Sequence, residues 1–160
     1  MKENFDKALR AIYKSDIEIL RGQLIKLDGL NYINSEGRSL IFYAVLENNL
    51  EIVSLLLSKG VDINIKDKNG WTPLHYAVSE HLVDITKMLI EFGSDVNAKD
   101  SYGNAIISRA VFTSKGRGDI IQVLLQNGAD PLMENDSGVS ALSLAKTIGN
   151  YDVAQFFKET

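Results

Sequence analysis

Cysteine is absent from this chain of 160 residues. Disulfides, thiolate nucleophiles and thiolate metal sites are excluded, and the lack fits a reducing compartment, so a cytoplasmic location is expected. Histidine is scarce too. His75 and His81 are the only two, and their spacing does not put both side chains on one helix face, so no metal site is expected from them. No apolar run approaches the ~18 residues that would suggest a membrane span. The N-terminal stretch mixes acids among its apolar residues and lacks the pattern of a secretory signal. Basic residues are not in excess either: 17 Lys and Arg stand against 21 Asp and Glu, a net charge of −4, which argues against general nucleic-acid binding.

The signatures of catalysis are missing as well. No serine sits in a nucleophile elbow, and no further residue completes a triad with a histidine. Glu80 and Asp84 form a carboxylate pair of the kind that helix surfaces carry routinely. Lys115-Gly116-Arg117-Gly118 superficially looks like a phosphate loop. It lacks the lysine and hydroxyl residue that would follow and the strand that would precede, so no cofactor is expected. The chain is therefore not expected to be an enzyme.

What is present is a repeat. At 45% hydrophobic and 24% charged residues, the composition is that of a folded protein, and residues 67–100 form one complete unit. A turn, Asp67-Lys68-Asn69-Gly70, precedes Thr72-Pro73, an N-cap acceptor followed by a ring of fixed φ at the first helical position. That chemistry predicts a helix starting at Pro73, with Leu74, Ala77 and Val78 on one short apolar face. A second helix is predicted over residues 83–91, with Ile85, Met88, Leu89 and Phe92 on one side and Gly93 ending it. Two such short helices cannot enclose a core alone, so stacked copies are required.

Gly70-Trp71-Thr72-Pro73-Leu74-His75-Tyr76-Ala77 closely resembles the G-x-T-P-L-H-x-A signature of ankyrin repeats, and Gly93-Ser94-Asp95-Val96-Asn97 resembles the turn that closes them. The resemblance implies an all-α solenoid of helix-turn-helix units with β-turn tips, and gives His75 a structural hydrogen bond around its turn. His81, at the exit of the first helix, is expected to be a solvated turn residue.

The neighbouring units follow. Gly37-Arg38-Ser39-Leu40-Ile41-Phe42-Tyr43-Ala44 aligns on Gly70 to Ala77 at an offset of 33, with Leu40 in place of the proline and Phe42 in place of the histidine. The unit from Asp100 lacks both cap and histidine, and Asp119 aligns on Asp84 at an offset of 35, so two residues are inserted between its helices. Residues 1–33 give two helical stripes, Phe5, Ala8, Ala11 and Ile12, then Ile17, Ile19, Leu20, Leu24 and Leu27. They read as a charged N-terminal cap. The last unit keeps Ala141, Leu142, Leu144 and Ala145, then Val153, Ala154, Phe156 and Phe157, and ends in a truncated helix at Lys158-Glu159-Thr160 that reads as a C-terminal cap. The expected organisation is one domain over 1–160, with repeats at 1–33, 34–66, 67–99, 100–134 and 135–160.

The resemblance implies a non-catalytic module that binds a partner protein through a concave face of turn tips and first helices. It is expected to be a monomer, with neither nucleic acid nor membrane as partner. The alternative is a bacterial immunity or inhibitor protein that neutralises a toxin or enzyme by stoichiometric binding. Mapped onto this chain, the positions on that face are Arg38, Leu46 and Glu47, then Lys68, Asn69, Trp71, Ser79 and Glu80, then Tyr102, Asn104, Phe112 and Thr113. Glu36, Ser101, Asp136, Ser137, Val139, Thr147 and Ile148 continue the same pattern. Trp71, the only tryptophan, is expected to be substantially exposed, as a binding anchor; the other reading is that it covers its neighbouring turn or the ring of Tyr102. Phe112 is either anchor or core. Arg109, Lys115 and Arg117 around the inserted segment 113–119 offer a basic spot suited to an acidic partner patch, or else the segment is a plain solvated loop.

Overall fold

A turn that consumes its own polar groups opens most of the units. In the computed structural model, which describes residues 2–27 and 29–157, Asp67 Oδ1 accepts the N–H groups of Asn69 at 2.8 Å and Trp71 at 3.1 Å. Asn34, Asp100 and Asn135 do the same for the residues two and four positions on. A short side-chain acceptor thus folds the backbone into a turn before any helix begins. The tips then join: Lys68 N–H donates to Glu36 O, Ser101 N–H to Asn69 O and Asp136 N–H to Tyr102 O, at 3.0 to 3.2 Å. Gly70, at φ +74°, is needed twice, for its left-handed backbone and because a Cβ there would lie 2.6 Å from Ser101 N.

Each turn leads into a pair of antiparallel helices: α1 (Lys2–Tyr13) with α2 (Ile17–Leu24), α3 (Leu40–Leu46) with α4 (Leu50–Ser58), α5 (Pro73–Ser79) with α6 (Val83–Glu91), and α7 (Ile106–Thr113) with α8 (Asp119–Gln126). Last, α9 (Ala141–Thr147) packs on a 3₁₀ helix, Val153–Phe157. The helices lie in two rows. The row α1, α3, α5, α7, α9 makes contact from each member to the next, as do α4, α6 and α8. Among the described residues there is no strand beyond an isolated bridge between Lys99 and Ala105, and no helix is long and apolar enough to cross a membrane.

Helix starts follow their local chemistry. Pro73 opens α5 as expected, and Thr72 N–H donates to Nδ1 of His75 at 3.0 Å. Ser140 and Ser143 close the same box at α9 through mutual backbone-to-hydroxyl bonds of 2.9 and 3.2 Å. Asp16 and Asn49 cap α2 and α4 by accepting from Ile19 and Ile52. The outer-row helices sit behind a left-handed residue that recurs at Ser15, Asn48 and His81.

The structure departs from the simple helical stripes at four places. Pro73 to Val78 are all buried, because α5 is enclosed by α3, α6 and α7 and its remaining side is covered at Tyr76 by Trp71 and Arg38. Phe92, placed by periodicity on the apolar side of α6, is its C-cap and stands 51% exposed, since the helix has already ended. Ile19 is likewise exposed, while Leu20 and Leu24 are buried. The final segment is 3₁₀ rather than α. Ile148 leaves α9 in an extended conformation, which delays the next helix to Val153 and leaves five residues, a length suited to 3₁₀ geometry. Lys158, Glu159 and Thr160, read as the end of a cap, lie outside the described residues, as does Asp28.

Candidate functional site

The exposed face built from turn tips and the α3-α5-α7-α9 row forms a grid in which each column is one position of the unit. One column is Arg38, Trp71, Asn104 and Val139; another is Tyr43, Tyr76, Arg109 and Leu144; a third is Leu46, Ser79, Phe112 and Thr147. Contacts run diagonally, from the first column to the second column of the next unit.

On the first diagonal Arg38 reaches Tyr76 and Asp67. Arg38 Nε donates to Asp67 Oδ2 at 3.2 Å, the Tyr76 hydroxyl donates to the same oxygen at 2.7 Å, and an Arg38 terminal nitrogen donates to that hydroxyl. Burial pushes the Tyr76 phenol up, the Asp67 carboxylate adds to the shift, and the result is about 12. Burial also works to raise Asp67, but Tyr76, the two backbone N–H groups and Arg38 outweigh it and hold the carboxyl below its ordinary value. Arg38, expected as a contact residue, is therefore half-buried and committed to the stack.

The second diagonal joins Trp71 to Arg109, whose guanidinium lies 4.6 Å from the indole centroid. Trp71 also stacks near His75 at 6.0 Å and meets Tyr76 edge-on at 4.9 Å. These contacts leave Trp71 half-buried, not substantially exposed as expected. It covers its own turn and supports a cation. Tyr102, whose ring Trp71 was otherwise expected to cover, is 73% exposed, and Phe112 is 69% exposed and so not core. Arg109 lies 5.7 Å from the Phe112 ring, which gives the sequence Trp71, Arg109, Phe112 across the face.

Phe112 borders three hollows. One of about 260 Å³ lies between α7 and α9 and is lined by Asn104, Ser108, Arg109, Phe112 and Leu144. A second of about 390 Å³ brings together Ser79, Glu80, His81, Thr113, Lys115 and Arg117 around the same ring. A third of about 200 Å³ runs from Phe112 and Lys115 to Ile148 and Tyr151. Eight of the expected contact residues, Trp71, Ser79, Glu80, Asn104, Phe112, Thr113, Lys115 and Arg117, thus meet around Arg109 and Phe112. Leu46, Glu47, Lys68 and Asn69 are exposed on the preceding units. Asn104 is half-buried: its amide donates to both Asp100 oxygens and its oxygen accepts from Asn135 at 2.7 Å.

The inserted segment is not a plain solvated loop. Lys115 and Gly116 take left-handed conformations, and a Cβ on Gly116 or Gly118 would lie 2.7 Å from Tyr151 or 2.3 Å from Phe156. Its glycine side therefore packs on the C-terminal segment, while Lys115 and Arg117 face solvent. His81, expected to be solvated, has its ring nitrogen 3.0 Å from Asp119 Oδ2 and so ties the α5 exit to the start of α8. Burial works to raise Asp119; the Ile120 N–H, His81 and Arg117 outweigh it and hold it low.

Leu144 and Ser108 enter the site without having been singled out from the sequence. The 35-residue offset that reveals the insertion also puts Leu144 in the Arg109 column, so the signal was there. Among the described residues no group of three or more metal-binding side chains converges. His75, buried and depressed to about 4 by desolvation, uses Nδ1 to clamp the Thr72 turn and is structural.

Residues 8–100 match the family model for ankyrin repeats in three copies. Among curated proteins none matches the chain.

Proposed function

The chain belongs to the ankyrin repeat family, and from that premise we propose that it binds a partner protein stoichiometrically, as a monomer, through the concave face of its turn tips and first helices. Ankyrin repeats are generally protein-protein interaction modules and typically non-catalytic. The observation that carries the reading is Phe112. A large ring left 69% exposed on that face, with hollows on its sides, gives an anchor that a partner can enclose. Tyr102 at the neighbouring tip and the Lys115 and Arg117 side chains extend the same surface.

Affinity capture with the native chain, with Phe112→Ala and with Phe92→Ala tests this. Phe92, a ring 51% exposed at the end of α6 and outside that face, serves as the matched control. Loss of an enclosed ring costs at least ~2 kcal/mol, so Phe112→Ala should weaken a captured partner about 30-fold while circular dichroism shows unchanged helicity. Equal capture by native and Phe112→Ala proteins would place the interface elsewhere.

A further inference from the structure

The third diagonal of the grid is empty. Where Arg38 meets Tyr76 and Trp71 meets Arg109, the next pair is Asn104 and Leu144, and Asn104 is held at the tips instead, by Asp100 of its own turn and Asn135 of the next. Among the described residues no side-chain hydrogen bond, ion pair or ring contact crosses from α7 to α9 there, and a hollow of about 260 Å³ lies between them.

Two polar groups in its lining have no hydrogen-bond or ion-pair partner among the described residues. The Arg109 guanidinium makes no ion pair or side-chain hydrogen bond among the described residues; only the Trp71 and Phe112 rings attend it. Arg38 shows by contrast what an arginine of this stack does with a carboxylate in reach. The hydroxyl of Ser108, a residue only 7% exposed, is buried without any hydrogen-bond partner. Ring contacts engage the face of a guanidinium and leave its N–H edge, the edge that receives a carboxylate in bidentate fashion. Held by rings on a rigid helix, this edge is preorganised, and a net charge of −4 makes it a local positive point on an acidic protein.

The geometry points to a carboxylate-bearing residue of an extended partner segment as the occupant. Its carboxylate pairs with the N–H edge of Arg109, and its aliphatic stem or an adjoining apolar side chain lies against Phe112 and Leu144. This rests on the reading of the face as a protein-binding surface and names the chemistry it selects.

Tryptophan-free random dodecapeptides displayed on phage and selected against the full chain provide the test. Selected sequences should carry Asp or Glu beside Leu, Ile or Phe. A synthetic selected peptide and its acid-to-amide version are then titrated by calorimetry into the native chain and into Arg109→Gln, Arg109→Lys and Phe112→Ala. Amidation should weaken binding about tenfold to the native chain, less to Arg109→Lys, whose point charge cannot receive the carboxylate in two parallel bonds, and not measurably to Arg109→Gln. The emission of Trp71, 4.6 Å from the guanidinium, should shift on binding. Equal loss on amidation for the native chain and Arg109→Gln overturns the pairing. Dependence on Phe112 with indifference to Arg109 leaves the binding face standing and removes the carboxylate. Selection of no peptides, or of peptides without acids, rejects an acidic extended segment as the occupant.

Discussion

His75 clamps its turn only in the neutral form. Its Nδ1 accepts from Thr72, so the proton sits on Nε2, which is buried without a partner. The ring titrates at about 4 in the folded chain against 6.5 for an ordinary histidine. As pH falls, the unfolded chain takes up its proton first. The clamp's contribution is therefore complete above pH ~6.5 and is lost progressively toward pH ~4, on the order of 3 kcal/mol in all. Urea midpoints measured at about pH 7 and pH 4.5 should fall steeply for the native chain, and His75→Gln should be weaker at pH ~7 with a flatter dependence. Asp67 and Asp119, both held low, give way only below the ordinary carboxylate range, so the windows separate. Asp67→Ala leaves two N–H groups and the Tyr76 O–H without their acceptor and Arg38 without its carboxylate, with only the Arg38–Tyr76 hydrogen bond remaining, and should cost roughly 3 kcal/mol in the same assay at pH ~7. The clamp was legible in Thr72-Pro73-Leu74-His75. The load on Asp67 was not, because Arg38 and Tyr76 come to it from opposite directions along the chain, and their meeting depends on how two units stack.

Elements repeat that division between spacing and approach. The two-residue insertion is visible as an offset, yet Gly116 and Gly118 read in the sequence only as part of a superficial phosphate-loop pattern. In the fold, Gly118 matters because the Phe156 ring passes where its Cβ would be, at 2.3 Å. Gly118→Ala must displace that ring and the 3₁₀ helix beneath it. A loss of about 1 to 3 kcal/mol is expected in urea unfolding. Gly22 is the counter-case. It lies inside α2, nothing stands within 4 Å of its Cβ position, and it needs no positive φ. Gly22→Ala should stabilise by about 0.5 to 1 kcal/mol through helix propensity. Two glycines that look alike in composition thus give opposite signs, decided by whether another element crosses them.

Across the whole molecule, cohesion is passed from neighbour to neighbour. Asn31, Asn64 and Asn97 each accept the N–H of the aspartate that opens the next closing turn, at Asp62, Asp95 and Asp130, and Asn64 and Asn97 also donate to Gly93 and Gly128. Lys66 and Lys99 reach the carbonyls of Lys99 and Glu134 in the same stepwise way. Asp-x-Asn recurs in the sequence at two closing turns, Asp62 to Asn64 and Asp95 to Asn97, but its role as a ladder between units does not show until the units stack. Stability in such an array is a sum of local units and their interfaces. Where a cavity is cut should therefore matter more than its size. Leu24 in α2 and Leu74 in α5 are both buried leucines. Leu24→Ala loosens a terminal pair, whereas Leu74→Ala weakens α5 against α3, α6 and α7 at once. Hydrogen exchange followed by mass spectrometry should show faster exchange confined to α1 and α2 for the first, and spread through α3 to α8 for the second. Uniform acceleration in both variants would mean that the chain unfolds as one unit and that its neighbour interfaces are too strong to act separately.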